Sequence, residues 1–451
     1  MKIAIVHEWL ITYAGSEKVL AAMLEEFPDA ELFCLIDYLP EEDRKRLGGR
    51  HPKTTWLQHI PHIRKWYRYF LPLMPLAIEQ HNMSNYDVVI SNSHAVAKGV
   101  ITGPDQLHLC YCYSPMRYAW DLQEHYLREK SNGKGAIGIA ARIILHRMRM
   151  WDTRTAFSVD HFIACSSYIS RRIAKAYRRN SIVIYPNVDI DAFPPGNEKG
   201  EYYITSSRFV PYKKVDLIVE AFSRMPDRRL LVVGTGPEMR RVRSLATENI
   251  SILGFQEHSD LLRLLQGAKA FIFAAEEDFG IAPLEAQACG VPVLAFERGG
   301  ASETVLDGVT GLHFSEQSAA AIRDIVEVFE RMPSHTFDPA RIRAHAERFS
   351  TRTFKKNFRA FVEHAWRLHR ERLASQKGFA EFPTLQRSIN DGDLVESIRH
   401  SSAEPADILE TIPAASHGDG LQPETHPPSA DTEPLDRKEK LREIHYVESA
   451  P

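Results

Sequence analysis

The residues best placed to do chemistry lie in Glu276-Glu-Asp-Phe-Gly-Ile-Ala-Pro-Leu-Glu-Ala-Gln-Ala-Cys-Gly290. The apolar run Phe271–Ala274 leads into a loop carrying Glu277 and then Phe279-Gly280. A helix is predicted to start near Ala282-Pro283, because proline's missing N–H costs nothing in a first helical turn. Glycine at 280 lets backbone approach a ligand closely, and the free amides of a helix start favour an anion. Glu285 is expected in that first turn, where the helix dipole favours its ionised form. There it would accept hydrogen bonds from paired hydroxyls such as those of a ribose. The plainer alternative is that both glutamates are surface residues complementing the dipole.

Two further groups belong to the same chemistry. Ser206-Ser-Arg-Phe-Val-Pro-Tyr-Lys213-Lys214 follows a strand, so Arg208 and Lys213 fall at a strand's C-terminal end, where open α/β sheets bind ligands. An arginine fork and a lysine point charge together could neutralise a diphosphate; alone they would read as a solvated basic loop. Val233-Gly-Thr-Gly-Pro-Glu238 is a glycine-rich turn at the next strand end, but Met239 stands where a dinucleotide fingerprint needs its third glycine.

These loops need strands and helices to hold them. Short Val/Ile-rich runs alternate with amphipathic segments through the first ~370 residues, which is the pattern of βαβ units and parallel sheets. The first half offers strands at Lys2–His7, Glu31–Ile36, Tyr86–Ser91, His108–Tyr113, His161–Cys165 and Ile182–Tyr185. The second offers Tyr202–Ser206, Leu230–Gly234, Ile250–Leu253, Ala270–Ala274 and Val291–Ala295. The expected organisation is therefore two Rossmann-like domains, residues 1–190 and 201–340, joined by a Pro/Gly-rich linker at 191–200. Residues 341–374 read as helical, with Phe354, Phe358, Phe361, Val362, Ala365 and Trp366 forming one apolar stripe that something large must cover. Residues 375–451 lack periodic apolar positions and read as mostly disordered.

Composition narrows the function. The 451 residues are 44% hydrophobic and 25% charged with net charge −3, a balance that gives no reason to expect a nucleic-acid partner. The strongest apolar stretch, Ala136–Leu145, is interrupted by Arg142 and is too short to span a bilayer. Glu8 arrives too early for a signal-peptide core, and the five cysteines form no CxxC pair, so a cytoplasmic, reducing location is expected.

Taken together, these motifs resemble a retaining glycosyltransferase of family 4, with the two-domain GT-B fold (α/β). Glu277 and Glu285 match that family's E-x7-E element, followed by Gly299-Gly300-Ala-Ser-Glu303; Arg208, Lys213, Gly234, Gly236 and Tyr185-Pro-Asn-Val-Asp189 match further signatures. The resemblance implies that Arg208 and Lys213 hold the donor diphosphate, and that Glu285 binds the ribose. Glu277 and the amides of Phe279, Gly280 and Ile281 would hold the transferred sugar. Gly15, in Tyr13-Ala-Gly-Ser-Glu-Lys18, would be the glycine loop near the phosphates; the alternative there is an ordinary helix start with Ser16 as N-cap. Phe255 is expected to lie against the base.

The family works without a metal or other cofactor, so a nucleotide sugar is the expected co-substrate. Asp189-Ile-Asp191 resembles a metal-binding D-x-D, but its place after Pro186-Asn187 fits an interdomain turn. Ser91-Asn-Ser-His94 through Gly99 and Cys112-Tyr-Ser-Pro-Met-Arg117 through Asp121 are similar to mannosyltransferases that build bacterial O-antigens and exopolysaccharides from GDP-mannose. Where the family carries a histidine after the fourth strand, this chain has Tyr113, so either Tyr113 or His94 is expected near the anomeric carbon. Arg117 and Asp121 are expected acceptor or sugar contacts, with a salt bridge to a neighbour as the alternative for Asp121.

Acceptor binding is assigned to the first half. Residues 61–74 and 136–157 mix basic, aromatic and aliphatic residues, consistent with docking on the cytoplasmic face of the inner membrane near a lipid-linked or oligosaccharide acceptor; two helices packing on the core is the alternative. A UDP-sugar enzyme of the same fold, a nucleotide-sugar epimerase and a hinged sugar-binding protein are the competing functions.

Overall fold

The structure is a computed structural model, and it describes residues 1–376 apart from 125, 128–134, 197 and 334. The expectation for the tail therefore falls, beyond 376, outside the described residues. Two six-stranded parallel sheets carry the chain. The first has the order β2-β1-β3-β4-β5-β6. Its strands are β1 (Ile3–His7), β2 (Glu31–Phe33), β3 (Val88–Ser93), β4 (Leu107–Cys112), β5 (His161–Ala164) and β6 (Ser181–Val183). β1, β3 and β4 are buried at every position, so their apolar residues do not alternate with exposed ones, and their polar members (His7, Ser91, Asn92, Ser93 and His108) are buried as well.

The second sheet has the order β12-β11-β10-β7-β8-β9. It comprises β7 (Tyr202–Ser206), β8 (Arg229–Val233), β9 (Ile250–Gly254), β10 (Ala270–Phe273), β11 (Val293–Phe296) and β12 (Gly311–Phe314). β12 was not anticipated; its four residues, Gly-Leu-His-Phe, contain no β-branched run. Strand order reverses direction at β1/β3 in the first sheet and at β7/β10 in the second, and crevices at such switch points are where α/β sheets take ligands.

Residues 191–196 and 198–200 lie on the second half. Phe193 is buried in its core, Gln266 Nε2 donates to the Pro194 carbonyl at 2.9 Å, and Gly200 N–H donates to the Gly267 carbonyl at 2.7 Å. The helical region resolves into Pro339–Glu347 and a long helix, Thr351–Gln376. The long helix returns to the first half, where Phe354, Phe358, Val362 and Ala365 are buried beside Tyr111 and Phe27. Each fully buried phenylalanine contributes about 1.5–3 kcal/mol, so this stripe fastens the end of the described chain to the first domain. All five cysteines are buried and unpaired, and among the described residues no helix is long and apolar enough to cross a membrane.

Candidate functional site

The second half's strand ends are built from backbone held against backbone. Gly234 (φ +128°) abuts the Ser207 carbonyl and Gly236 abuts Phe209, so a Cβ at either would overlap main-chain atoms. Their absence of side chain lets the Ser207–Phe209 loop lie flat on the turn, fixed by Phe209 N–H to the Thr235 carbonyl at 2.8 Å. That loop presents Arg208, which is exposed and makes no ion pair among the described residues. Lys213 reaches across to the Glu277 carboxylate in direct contact. Burial, and then the Arg117 charge, push the Lys213 ammonium down to about 7. The Glu277 carboxylate it touches works in the opposite direction, and we read the two as an ion pair.

The Glu277–Phe279 loop is shaped by a second glycine pair. Gly299 (φ +75°) lies on the Glu277 carbonyl and Gly300 on the Phe279 backbone, with Gly300 N–H donating to the Glu277 carbonyl at 2.7 Å. The helix Ile281–Ala288 starts from Gly280 in a left-handed conformation (φ +89°), one residue earlier than expected. Glu285 consequently sits beyond the first turn, a correction to its expected dipole environment. Burial raises its carboxyl, opposed by Lys18 of the first half at 3.7 Å. Phe255, just past β9, is 70% exposed and presents a bare ring.

The first half uses buried side chains instead. Glu8, one residue past β1 and fully buried, accepts from Ser93 Oγ (3.0 Å) and from the amides of His94, Ala95, Val96 and Ala97 (2.7–3.1 Å). Burial would raise this carboxyl, but the His94 charge and these amides hold it below the usual carboxylate range. Glu8 thereby shapes the loop carrying His94, whose ring packs edge-on to Trp9 at 4.9 Å and faces Tyr113 at 6.4 Å. Burial pushes the His94 ring toward its neutral form, while the neighbouring Glu8 carboxylate favours its charged one. No hydrogen bond reaches its ring nitrogens among the described residues, whereas the Tyr113 hydroxyl donates to the Ser16 carbonyl at 3.2 Å.

The glycine loop is the start of the helix Gly15–Glu26, with Ala14 as N-cap and Glu17 reaching back to the Ala14 N–H at 3.0 Å. Ser16 is inside the helix, which overturns its reading as the cap. Glu17 also bonds His7 Nε2 at 3.2 Å, and Asn92 holds His7 Nδ1 at 3.1 Å. A Cβ on Gly15 would come within 3.3 Å of Ile281 Cδ1, so the two halves touch at this point. Arg117 pairs directly with Asp278, next to Glu277, and Arg172 lies 3.9 Å from the same carboxylate. Asp121 is exposed and contacts Arg172, the salt bridge that was its alternative reading.

The structure thus gathers Glu277, Lys213, Arg208 and Glu285 at one switch point, with Gly15 and Arg117 against the same loops. Sequence reasoning missed Glu8, Asp278 and Arg172. A carboxylate directly after the apolar run Ile3–Val6 and His7 was the available signal for Glu8.

Residues 188–348 match the family described as glycosyl transferases group 1. A mannosyltransferase of Corynebacterium glutamicum, described as a GDP-mannose-dependent monoacylated alpha-(1-6)-phosphatidylinositol monomannoside mannosyltransferase, is 33% identical over 34% of this chain and 48% of its own length. A D-inositol 3-phosphate glycosyltransferase of Mycobacterium sp. is 32% identical over 29% of this chain and 34% of its own. The chain spans about half the length, or less, of the curated relatives it matches. Among solved structures, sucrose-phosphate synthase from Thermosynechococcus elongatus superposes with a TM-score of 0.62 at 16% identity, covering 82% of this chain and all of that one. An Anabaena protein in complex with UDP and glucose gives 0.59 at 17% identity, covering 80% and 99%. These likenesses establish the fold.

Proposed function

From the premise that this chain carries a group 1 glycosyltransferase domain on a GT-B fold, we propose that it transfers a hexose, with retention of configuration, from a nucleotide sugar to a lipid-linked or polysaccharide acceptor. The observation that carries this reading is the juxtaposition of Lys213 with Glu277 at the β7/β10 switch point, with the first half's Arg117 on the adjoining Asp278. A bound donor would part Lys213 from Glu277. Lys213 and Arg208 would turn to the diphosphate, and Glu277 would accept from sugar hydroxyls. The bond from the anomeric carbon to the diphosphate oxygen breaks, the acceptor oxygen bonds that carbon on the same face, and the acceptor's proton departs with the diphosphate. Two cations aimed at the leaving group stabilise charge that develops in the transition state, the service a metal supplies in other enzymes, and we propose that none is required here.

His94, with no hydrogen bond to its ring nitrogens among the described residues and Trp9 beside it, is the better candidate than Tyr113 to face the anomeric carbon. Mannose from GDP-mannose is the proposed donor, on the strength of the Ser91–Gly99 and Cys112–Asp121 signatures and of the matched mannosyltransferases. We further propose that the first half docks on an anionic membrane surface in the cytoplasm. Trp66, Tyr69, Leu73 and Leu76 are exposed on one segment, and Ile137, Ile139, Ile143 and Met150 on the helix Gly135–Ala156. Glu79 joins the two, accepting from Trp151 Nε1 at 2.8 Å and Arg154 at 2.7 Å. Transfer of labelled mannose from GDP-mannose into a bacterial lipid extract, undiminished by EDTA, is the expected result. Transfer from UDP-sugars alone would overturn the donor, and failure to sediment with anionic vesicles at low salt would overturn the membrane contact.

A further inference from the structure

We propose that the turn Gly299–Glu303 is a latch between the two halves, and that Glu303 is a positioning residue setting the first half's strand ends against the Glu277 loop. The glycine end of this turn carries the loop, since Gly299 and Gly300 lie on the backbone of Glu277 and Phe279 and no side chain fits there. The glutamate end leaves its own half. Its carboxylate accepts from the amides of Ser167 and Tyr168, each at 2.7 Å, and from the Tyr185 hydroxyl at 3.1 Å.

Ser167 and Tyr168 open the eleven-residue helix Ser167–Tyr177 of the first half, whose third amide, Ile169, is taken by Ser166 Oγ at 3.1 Å. The orphan amides that a helix start must satisfy are therefore met by its own N-cap and by a carboxylate from the other domain. The charge is favourable there because the helix dipole presents its positive end. Ser166 Oγ also donates to the Asp278 carbonyl at 2.5 Å, so the same helix start grips the Glu277 loop directly as well as through Glu303. Tyr185, which follows β6 on the way to the second sheet, stacks on Phe279 at 5.8 Å and so joins the same cluster.

One short turn thus ties together the Glu277 loop, Tyr185 and the first half's helix start. Separating the halves leaves two amides, a hydroxyl and a carboxylate to water. Its catalytic consequence rests on the glycosyl-transfer reading; its mechanical consequence does not.

The test uses the full chain with Glu303→Ala, Glu303→Gln and Tyr185→Phe. In Glu303→Ala the Ser167 and Tyr168 amides should exchange with deuterium about tenfold faster or more, and the radius of gyration in solution should rise. Glu303 touches none of the groups assigned to the nucleotide, so affinity for GDP should stay within about twofold. The kcat should fall about tenfold or more while the donor KM holds, because misplacement of reacting groups by about 1 Å can cost ~100-fold. Glu303→Gln, which keeps an acceptor, and Tyr185→Phe, which leaves the turn intact, should show the same changes at smaller amplitude. Unchanged exchange and scattering would overturn the latch. Faster exchange with unchanged kcat would overturn the positioning role. A wild-type chain that neither binds nucleotide nor transfers sugar would instead defeat the functional reading, with exchange and scattering still judging the latch.

Discussion

The two sheets present their strand ends by opposite means. In the second half, glycines let one stretch of backbone lie on another: Gly234 and Gly236 under the Arg208 loop, Gly299 and Gly300 under the Glu277 loop. In the first half, buried charged and polar side chains do the holding: Glu8 on four amides, Glu17 on His7, and Lys98 against Asp152 at 2.7 Å. A backbone-on-backbone contact tolerates no added atom, whatever charges the loop it shapes goes on to present. A side-chain network tolerates small shape changes but fails when one partner is lost.

That contrast predicts where each half breaks. The largest expected effect is in the first half. Lys98 and Asp152 are both buried, and Asp152 also accepts from Trp120 Nε1 at 2.7 Å and the Tyr177 hydroxyl at 2.9 Å. Asp152→Asn should cost about 3–5 kcal/mol in urea unfolding by stranding the Lys98 ammonium. Lys98→Met with Asp152→Asn removes both charges and should recover much of that loss; a double variant no better than the single would contradict the charge argument.

Next comes Gly300→Ala. Its methyl would overlap the Phe279 backbone, so about 1–3 kcal/mol of overpacking is expected, together with weakened nucleotide-sugar binding. A well-folded variant with unchanged binding would show that the loop is not held by this contact.

A pH titration probes the first half's buried network more gently. His108, buried and bonded to Ser91 Oγ at 3.0 Å, is pushed by burial down to about 4. The unfolded chain binds this proton near pH 6.5 and the native one does not until about 4. The His108 contribution should be level above pH 6.5 and fall by about 1.4 kcal/mol per pH unit as the pH drops from there toward 4. His108→Gln should reduce that slope, and an identical slope would refute the assignment. The smallest effect belongs to Phe255→Ala: nucleotide binding should weaken by about 1 kcal/mol from lost ring contact, with the melting temperature unmoved because the ring is exposed. Full nucleotide affinity in that variant would remove Phe255 from the site.

The same contrast explains what could be read before the structure. Gly234, Gly236, Gly280 and the Glu277–Glu285 spacing are legible because a backbone that needs glycine at fixed places writes a motif. Eleven of the twelve strands were legible as apolar runs; Gly311–Phe314 was not, since Leu and Phe around a half-buried His make no strand pattern. Glu8, Lys98–Asp152 and Arg172–Asp278 were opaque because their partners are 54 to 106 positions apart, and only the fold brings them together. Arg117 and Asp121 were placed near the site, and the structure supplies what spacing could not: each already has an ion-pair partner.

In the proposed function the β7/β10 switch point binds a nucleotide sugar through Glu285 and the Arg208–Lys213 pair. A thermal-shift series with GDP-mannose, GDP, UDP-glucose, UDP-GlcNAc and NAD, with and without Mg²⁺, tests it directly on the wild type and on Glu285→Ala. At about 100 times its dissociation constant a ligand stabilises by roughly 2.7 kcal/mol, a shift of several degrees. That shift is expected for GDP and GDP-mannose, independent of Mg²⁺ and lost in Glu285→Ala. No shift with any nucleotide, or one that survives Glu285→Ala undiminished, would contradict it.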